Sequence, residues 1–553
     1  MKRIFTVISI FFAVQLAEAQ QKPTAVLTGK PETAVEQAQQ QQAAPKQQLA
    51  GAQPAAAQAQ EQQQPAEKQK RATAQTKPQA ETQPTKTLRA KAWIEKAQQK
   101  GPLEGCAWGV VARDRDGKVI VSHNGGQRLV PASNLKLVTT GTALHAFNPD
   151  YRFETGIGYT GTINEGTLEG DVYIIGGGDP TIGAKDSIAY KADALFWKWK
   201  QLLKSAGIDR INGRIIGDGS AWEGHLEHAS WQYDDMGTYY GTGSNALCFY
   251  QNAIDLEVSA AEEGQPVNAR QTYPETPWMH FTNQSITGPA GTGNSLYLFT
   301  TDLAPYSELR GTFATDRKSK TEHFANKYGA LTCAYYFWRN LKTTGWEVSG
   351  QYADIDRNGY IREADFIPRE KAGKPTLIGT TQSPALKEIA KITNFRSDNF
   401  YAEAMLRAMG EAATEIAVYD SCLVAQDVVL KALGLNTEKI AHYDGSGLSA
   451  MNRVSPEWMA DFLDAMKGSP AFKDFLETLP MPGEGTLWAV KVKNADKIRM
   501  KSGSMTGVLC YSGYILGDEG LPDITFSFLV NGAVASPSQL RQAMMELIGI
   551  LTE

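Results

Sequence analysis

Cysteine is scarce: Cys106, Cys248, Cys333, Cys422 and Cys510 are the five in 553 residues. They are widely spaced and odd in number, so a disulfide scaffold does not hold this chain together, and one bridge at most is expected. Neither sign of charge dominates. The 55 basic side chains stand against 60 acidic ones, a net charge of −5, which leaves no basic field for nucleic acid and no polybasic patch for a membrane surface. The one long apolar run, at the N-terminus, falls short of the ~20 residues a spanning helix needs. Also missing are the Gly-x-Ser-x-Gly elbow, the His-Glu-x-x-His zinc signature and Cys-x-x-Cys. A dinucleotide-like "GTGSNA" begins at Gly241 but has no βαβ setting around it. No metal and no cofactor are expected.

What is present falls into zones. "MKR", then "IFTVISIFFAVQL", then "AEA" ending at Ala19, has the three parts of a secretory signal peptide, so residues 1–19 are read as one and export to the periplasm is expected. Residues 20–87 are a Gln/Ala/Pro/Lys mixture too poor in large apolar side chains to offset the entropy of ordering, and are read as a disordered tether. Folded sequence starts with the helical "LRAKAWIEKAQQK", followed by two apolar runs joined by "RDG", a hairpin signal. From 151 to 378 short β-rich runs are punctuated by glycine, with a helical interlude at "ADALFWKWKQLLKSAG". Helical periodicity returns from 379, and the chain closes with two strand-like runs and a helix. This predicts one α/β domain assembled from residues 88–150 and 379–553, with 151–378 as a β-rich insertion.

In "VPASNLKLVTTGTALHAF", Ser133 and Lys136 stand three apart at the start of an apolar helix, so hydroxyl and amine share one face. A serine hydroxyl is a poor nucleophile until a base takes its proton. Lys136 can be that base only if its pKa falls from ~10.4 by ~3 units, or ~4 kcal/mol, which burial and a second cation both favour. Taken alone, Ser-x-x-Lys fits a lysine on a solvated helix face equally well. Two more stretches change the odds. "SDN", Ser397 to Asn399, opens another helix, and "KSGSMTG", Lys501 to Gly507, leads into an apolar strand with a glycine where a ligand's backbone could approach.

With these motifs, and with "GGGDPTI" (Gly176 to Ile182), "YDGSGLSAMNRVSP" (Tyr443 to Pro456), "LPMPGEGTL" (Leu479 to Leu487) and "MTGVLCYSGYI" after Lys501, the sequence resembles the D-alanyl-D-alanine carboxypeptidases/endopeptidases of peptidase family S13, class C penicillin-binding proteins. The likeness runs from about Leu88 to Thr552. The separation of 261 positions from Lys136 to Ser397 is far more than in β-lactamases and fits the extra domains this family carries there. The resemblance implies an α/β catalytic domain of the serine β-lactamase/transpeptidase type, an antiparallel sheet flanked by helices. It implies Ser133 as nucleophile, Lys136 as base, Ser397 as proton relay and Asn399 as holder of a substrate amide. Lys501 would attract the terminal carboxylate and lower the pKa of Lys136. Ser502, Gly503 and Ser504 would contact substrate, with the backbone N–H groups of Ser133 and Ser504 as oxyanion hole. Asp218 and Trp222 in "GDGSAW" resemble the acidic and aromatic positions that the insertion lends to a side-chain subsite. Where many members have an arginine after "DGSGLS" this chain has Ala450, with Arg453 nearby as a substitute. Peptidoglycan stem peptides are the implied partner and β-lactams the covalent inhibitors. A catalytically weak peptidoglycan-binding scaffold and a β-lactamase are the competing readings.

One pattern lies outside this scheme: Asp354, Asp356, Asn358, Gly359 and Asp365 fall on positions 1, 3, 5, 6 and 12 of a calcium loop, but a β-hairpin turning at "RNG" explains them better.

Overall fold

The computed structural model describes residues 85–356, 366–368, 372–414 and 417–553, with the backbone alone for Asp356 and 366–368. The segments read as signal peptide and tether lie outside the described residues, apart from their last three. Helix α1 (Lys86–Gln99) opens on Thr85, whose Oγ1 accepts from the Leu88 N–H at 3.4 Å. A capping threonine thus starts the folded region before residue 88, the boundary that composition suggests.

Strands β1 (Ala107–Asp114) and β2 (Val119–His123) form the expected hairpin. After helix α2 (Leu135–Phe147) the chain leaves for the middle segment. It returns through α3 (Leu386–Arg396), α4 (Asn399–Thr414), α5 (Tyr419–Ala432) and α6 (Pro456–Met466). Strands β3 (Ile498–Met505), β4 (Val508–Leu516) and β5 (Pro522–Asn531) and helix α7 (Pro537–Leu551) close it. The five strands make one antiparallel sheet in the order β2-β1-β5-β4-β3, with Ala107 opposite Asn531 and Asp114 opposite Ile524. Alternation along β1 and β5 turns Trp108, Val110, Phe526 and Phe528 toward α1 and α7, where Ile94, Leu540 and Met544 complete a core. Trp93 of α1 meets Trp108 and Phe528 edge-on at 6.3 and 6.1 Å. On the other side α2 is buried all round from Leu135 to Leu144, which is why its sequence shows apolar and threonine residues without a polar face.

The middle segment is a mixed structure rather than a purely β one. Its six-stranded sheet runs Phe366–Pro368, Tyr352–Asp356, Ile215–Asp218, Val172–Ile175, Glu154–Tyr159, Thr376–Gln382, with three of its five pairings parallel. Parallel strands need crossovers, and helices Ala192–Ser205 and Gly329–Thr343 belong to this layer. The second helix, "GALTCAYYFWRNLKT", departs from the β-rich expectation, because its aromatic content reads as strand. Pairing of Thr376–Gln382 with Glu154–Tyr159 carries this sheet past residue 378. A separate β unit holds its own core of Ile254, Leu256, Val258, Leu298, Leu309 and Phe324. The turn expected at "RNG", and most of the calcium pattern, lie outside the described residues. Yet Tyr352–Asp356 and Phe366–Pro368 pair in parallel, whereas a tight hairpin between them would have made them antiparallel. All five cysteines are free thiols, four of them buried.

Candidate active site

Ser133 sits in a single turn, Ala132–Asn134, immediately before α2. Ala132 holds a positive φ of 45°, a conformation that costs a non-glycine residue ~1–3 kcal/mol. Its surroundings impose it. Gly447 passes so close that a Cβ there would lie 2.0 Å from the Ala132 carbonyl oxygen, and one on Gly503 would lie 2.5 Å from that of Pro131 and 3.0 Å from the Ser133 nitrogen. The glycine of the third motif therefore admits this chain's own serine turn rather than a ligand backbone. Asn134 Nδ2 donates to Ser512 Oγ at 2.7 Å, pinning the turn to β4.

Lys136, fully buried, reaches three oxygens: Ser133 Oγ at 2.9 Å, Asn399 Oδ1 at 2.5 Å and the Ser446 carbonyl at 2.7 Å. Burial lowers its pKa to about 8, against the pull of Asp444, Glu403 and Asp398. As an ammonium it has a proton for each oxygen. As a neutral amine it has two protons and a lone pair, and of its three partners only the serine can donate. Loss of the Lys136 proton therefore turns the Ser133 hydroxyl toward nitrogen.

Lys501, also fully buried, donates to Ser397 Oγ at 2.9 Å and to the Ser502 carbonyl at 2.6 Å. Burial, and then the charge of Lys136, hold its pKa well below the ordinary lysine value. Ser397 closes α3 in the left-handed conformation, φ 59°. Asp398 next to it accepts from the Tyr401 N–H at 2.9 Å and from Gln251 Nε2 at 2.7 Å, and burial raises its pKa. Asn399 turns its Nδ2 to the Tyr240 carbonyl at 2.9 Å, so a substrate amide has to displace that carbonyl to reach it.

A cavity of about 790 Å³ opens in front of these groups. Ser133, Ser397, Asn399, Thr486, Ser504 and Met505 line one side, and Asp235, Tyr239, Tyr240, Gln251 and Asp255 of the middle segment line the other. Ser502 stands behind Thr486, hydroxyl to hydroxyl at 2.8 Å.

Asp218 and Trp222 are not part of the cavity wall. Trp222 is fully buried against Gly178 and gives its Nε1–H to Glu411 at 2.6 Å, while Asp218 accepts from the Ser220 N–H and hydroxyl at 3.0 and 2.5 Å. The stretch is a strand end and its turn, and its acid and aromatic are used to close it. Among the acids and aromatics that do face the cavity, Asp235, Tyr239 and Tyr240 come from a loop without a sequence signature. Ala450 lines the cavity, but Arg453 donates to the carbonyls of Ala450 and Asn452 at 2.7 and 2.8 Å and is tied to its own loop.

Two buried carboxylates complete the site without having stood out in the sequence. Glu403 accepts from the N–H groups of Gly445 and Ser446, the latter at 2.7 Å, and Asp444 accepts from those of Gly447 and Ser449 at 2.9 and 2.6 Å. Together they shape the loop that aims the Ser446 carbonyl at Lys136. Burial, with Asp444 second, raises the Glu403 pKa to about 7. Asp444 was within reach of sequence reasoning, since it opens "DGSGLS". Glu403 is an ordinary position on a helix.

The family model for the D-Ala-D-Ala carboxypeptidase 3 (S13) family matches residues 90–553. The chain belongs to this family. It is a serine D-alanyl-D-alanine carboxypeptidase, a hydrolase of the penicillin-binding kind. A D-alanyl-D-alanine carboxypeptidase of Actinomadura sp. (strain R39) is 27% identical over 450 residues, 78% of each chain. The crystal structure of penicillin binding protein 4 from Haemophilus influenzae superposes with a TM-score of 0.71 at 22% identity, over 83% of this chain and 99% of that one. A second structure of that protein is complexed with a novel β-lactam. The S13 carboxypeptidase shares their α/β fold. Among its described residues no helix is long and apolar enough to cross a membrane, and no cluster of three metal-ligating side chains occurs.

Proposed function

We propose that this carboxypeptidase acts on peptidoglycan stem peptides through an acyl-serine intermediate. Ser133 Oγ attacks the carbonyl carbon of the penultimate D-alanine while its proton passes to Lys136 Nζ. The N–H groups of Ser133 and Ser504 hold the oxyanion. The C–N bond breaks, the leaving D-alanine amine takes a proton through Ser397, and water then hydrolyses the acyl-serine ester, regenerating the hydroxyl. The observation that carries this is the 2.9 Å contact between Ser133 Oγ and a buried Lys136 whose pKa of about 8 lets it lose its proton near neutrality.

Lys501 stands behind Ser397 rather than in the cavity wall, so its part is to orient that hydroxyl and to add positive potential for the substrate's terminal carboxylate. A cross-link, in which a diamino acid amine replaces D-alanine as leaving group, satisfies the same chemistry, giving endopeptidase activity. The N-terminal pattern supports export, and the tether supports reach toward a wall from the periplasmic side.

Penicillin is the test. Intact-mass measurement should find one stable adduct on the wild type and none on Ser133→Ala. Rapid turnover without an adduct would mean a β-lactamase, and no reaction a scaffold.

A further inference from the structure

The separate β unit of the middle segment carries an outward face that this chemistry does not use. In the sheet of His280–Asn283, Ala304–Arg310 and Tyr297–Thr301, Leu298 and Leu309 point into the core. Four of the outward positions bear rings: Tyr297, Phe299, Tyr306 and His280. Tyr306 is 61% exposed and stacks on His280 with centroids 4.8 Å apart. Tyr233 is 65% exposed and lies over Phe299 at 4.6 Å, and Tyr297 meets Phe299 edge-on at 5.0 Å. Phe299 is opposite Glu308, which makes Tyr306 its diagonal neighbour, ~7–8 Å away. The two ring groups thus form one strip across three strands, ~10 Å wide. Among the rings Arg310 lies 5.5 Å over Phe299 and is ion-paired with Glu308, so this pair adds no net charge to the strip.

A row of water-facing rings on a soluble domain marks a binding surface. This one offers flat apolar faces with neutralised polar groups between them, which suits the C–H faces and the hydroxyl and acetamido groups of amino sugars and offers little to a charged polymer. It is also continuous with the cavity. Tyr233 belongs to the segment 232–240, whose Gln232, Asp235, Tyr239 and Tyr240 form cavity wall. The segment is pressed onto the sheet at Gly237, where a Cβ would fall 1.4 Å from the Leu298 carbonyl oxygen.

We propose that this aromatic strip binds the glycan strand of peptidoglycan, a polymer of N-acetylated amino sugars, while the stem peptide attached to that strand enters the cavity. The assignment rests on the substrate proposed above, and its test is separable. Glycan strands stripped of their stem peptides are titrated against the full chain and against Tyr306→Ala and Tyr233→Ala, both at exposed rings whose loss leaves the core intact. Each substitution should weaken binding about tenfold, and on intact wall material should raise KM with kcat unchanged, while D-alanine release from a soluble peptide stays within twofold of wild type. Equal binding by wild type and variants would overturn the proposal, as would no binding to stripped strands or a requirement for the stem peptide. Self-association lost in the variants, without glycan binding, would make a second copy the occupant and equally overturn it. Failure of soluble-peptide hydrolysis in the wild type would sink the substrate reading instead, whatever the strip does.

Discussion

The two walls of the catalytic cavity are built by opposite means. The wall drawn from both chain ends is backed by a buried polar network: Lys136, Lys501, Glu403 and Asp444 are each fully or almost fully inaccessible, and each is held by two or more hydrogen bonds. The wall from the middle segment relies on rings and on backbone strain. Tyr250, Gln251 and Asn252 follow one another with φ of 56°, 55° and 52°, a left-handed turn without glycine. Asn252 anchors it, donating to the Gly243 carbonyl at 3.2 Å and to Asn245 Oδ1 at 2.8 Å, and Gln251 is thereby delivered to Asp398. Burial shifts the pKa values of Lys136, Lys501 and Glu403, so the proposed bond-making depends on the exclusion of water there. Positioning from outside is entrusted to a segment whose shape costs ~1–2 kcal/mol per residue to hold.

Breaking the first wall should have the largest effect. Ser133→Ala and Lys136→Ala should each slow penicillin acylation and peptide hydrolysis by about 10⁴-fold or more, with circular dichroism unchanged. Gly503→Ala should come close to that loss through geometry alone, since its Cβ meets the Pro131 carbonyl; near wild-type acylation rates would refute the account of the serine turn.

The pH profile sharpens the comparison next. With Lys136 at about 8, acylation should rise roughly tenfold per pH unit up to that value and then level. Glu403→Gln removes a negative charge that pulls the Lys136 pKa up, so the acid limb should move to lower pH. Stability carries the opposite signature. The folded pKa of Glu403, about 7, lies above its ordinary 4.5, so the stability it contributes is complete below about 4.5 and is lost as the pH rises through about 7. Thermal unfolding of Glu403→Gln should lack that decline.

Across the cavity, Gln251→Ala leaves Asp398 without its side-chain donor and should lower kcat about tenfold with little change in KM. An unchanged kcat would make the left-handed turn a matter of architecture alone. The smallest effect belongs to Trp222→Phe, which deletes one hydrogen bond to Glu411: about 1 kcal/mol of stability and no more than a twofold change in any kinetic constant. A large rise in KM there would return Trp222 to the substrate.

Legibility in the sequence divides along the same line. Ser133 with Lys136, the "SDN" turn and the "KSG" strand could be read because each places its chemistry within three or four consecutive residues on one element. The five-stranded sheet was legible in outline from the hairpin signal at one end and the strands at the other. Asp235 and Tyr240 were not, because nothing local distinguishes a loop that meets Asn399, 159 residues on from Tyr240, from one that faces water. Trp222 misled for the converse reason: an acid and an aromatic beside a turn look alike whether they meet substrate or Glu411.

The pairing of β1 with β5 has a consequence for how the molecule comes into being. The strand at residues 107–114 finds its partner at 524–531, so a chain emerging from N- to C-terminus carries an apolar strand with an open edge until nearly all of it has been made. Contacts so distant in sequence make for slow folding. The middle segment, whose strands pair largely among themselves, can form first and hold the two ends near each other. Loss of the last thirty or so residues would therefore do more than trim a sheet: it would leave the first strand waiting for a partner and free to pair with another molecule instead.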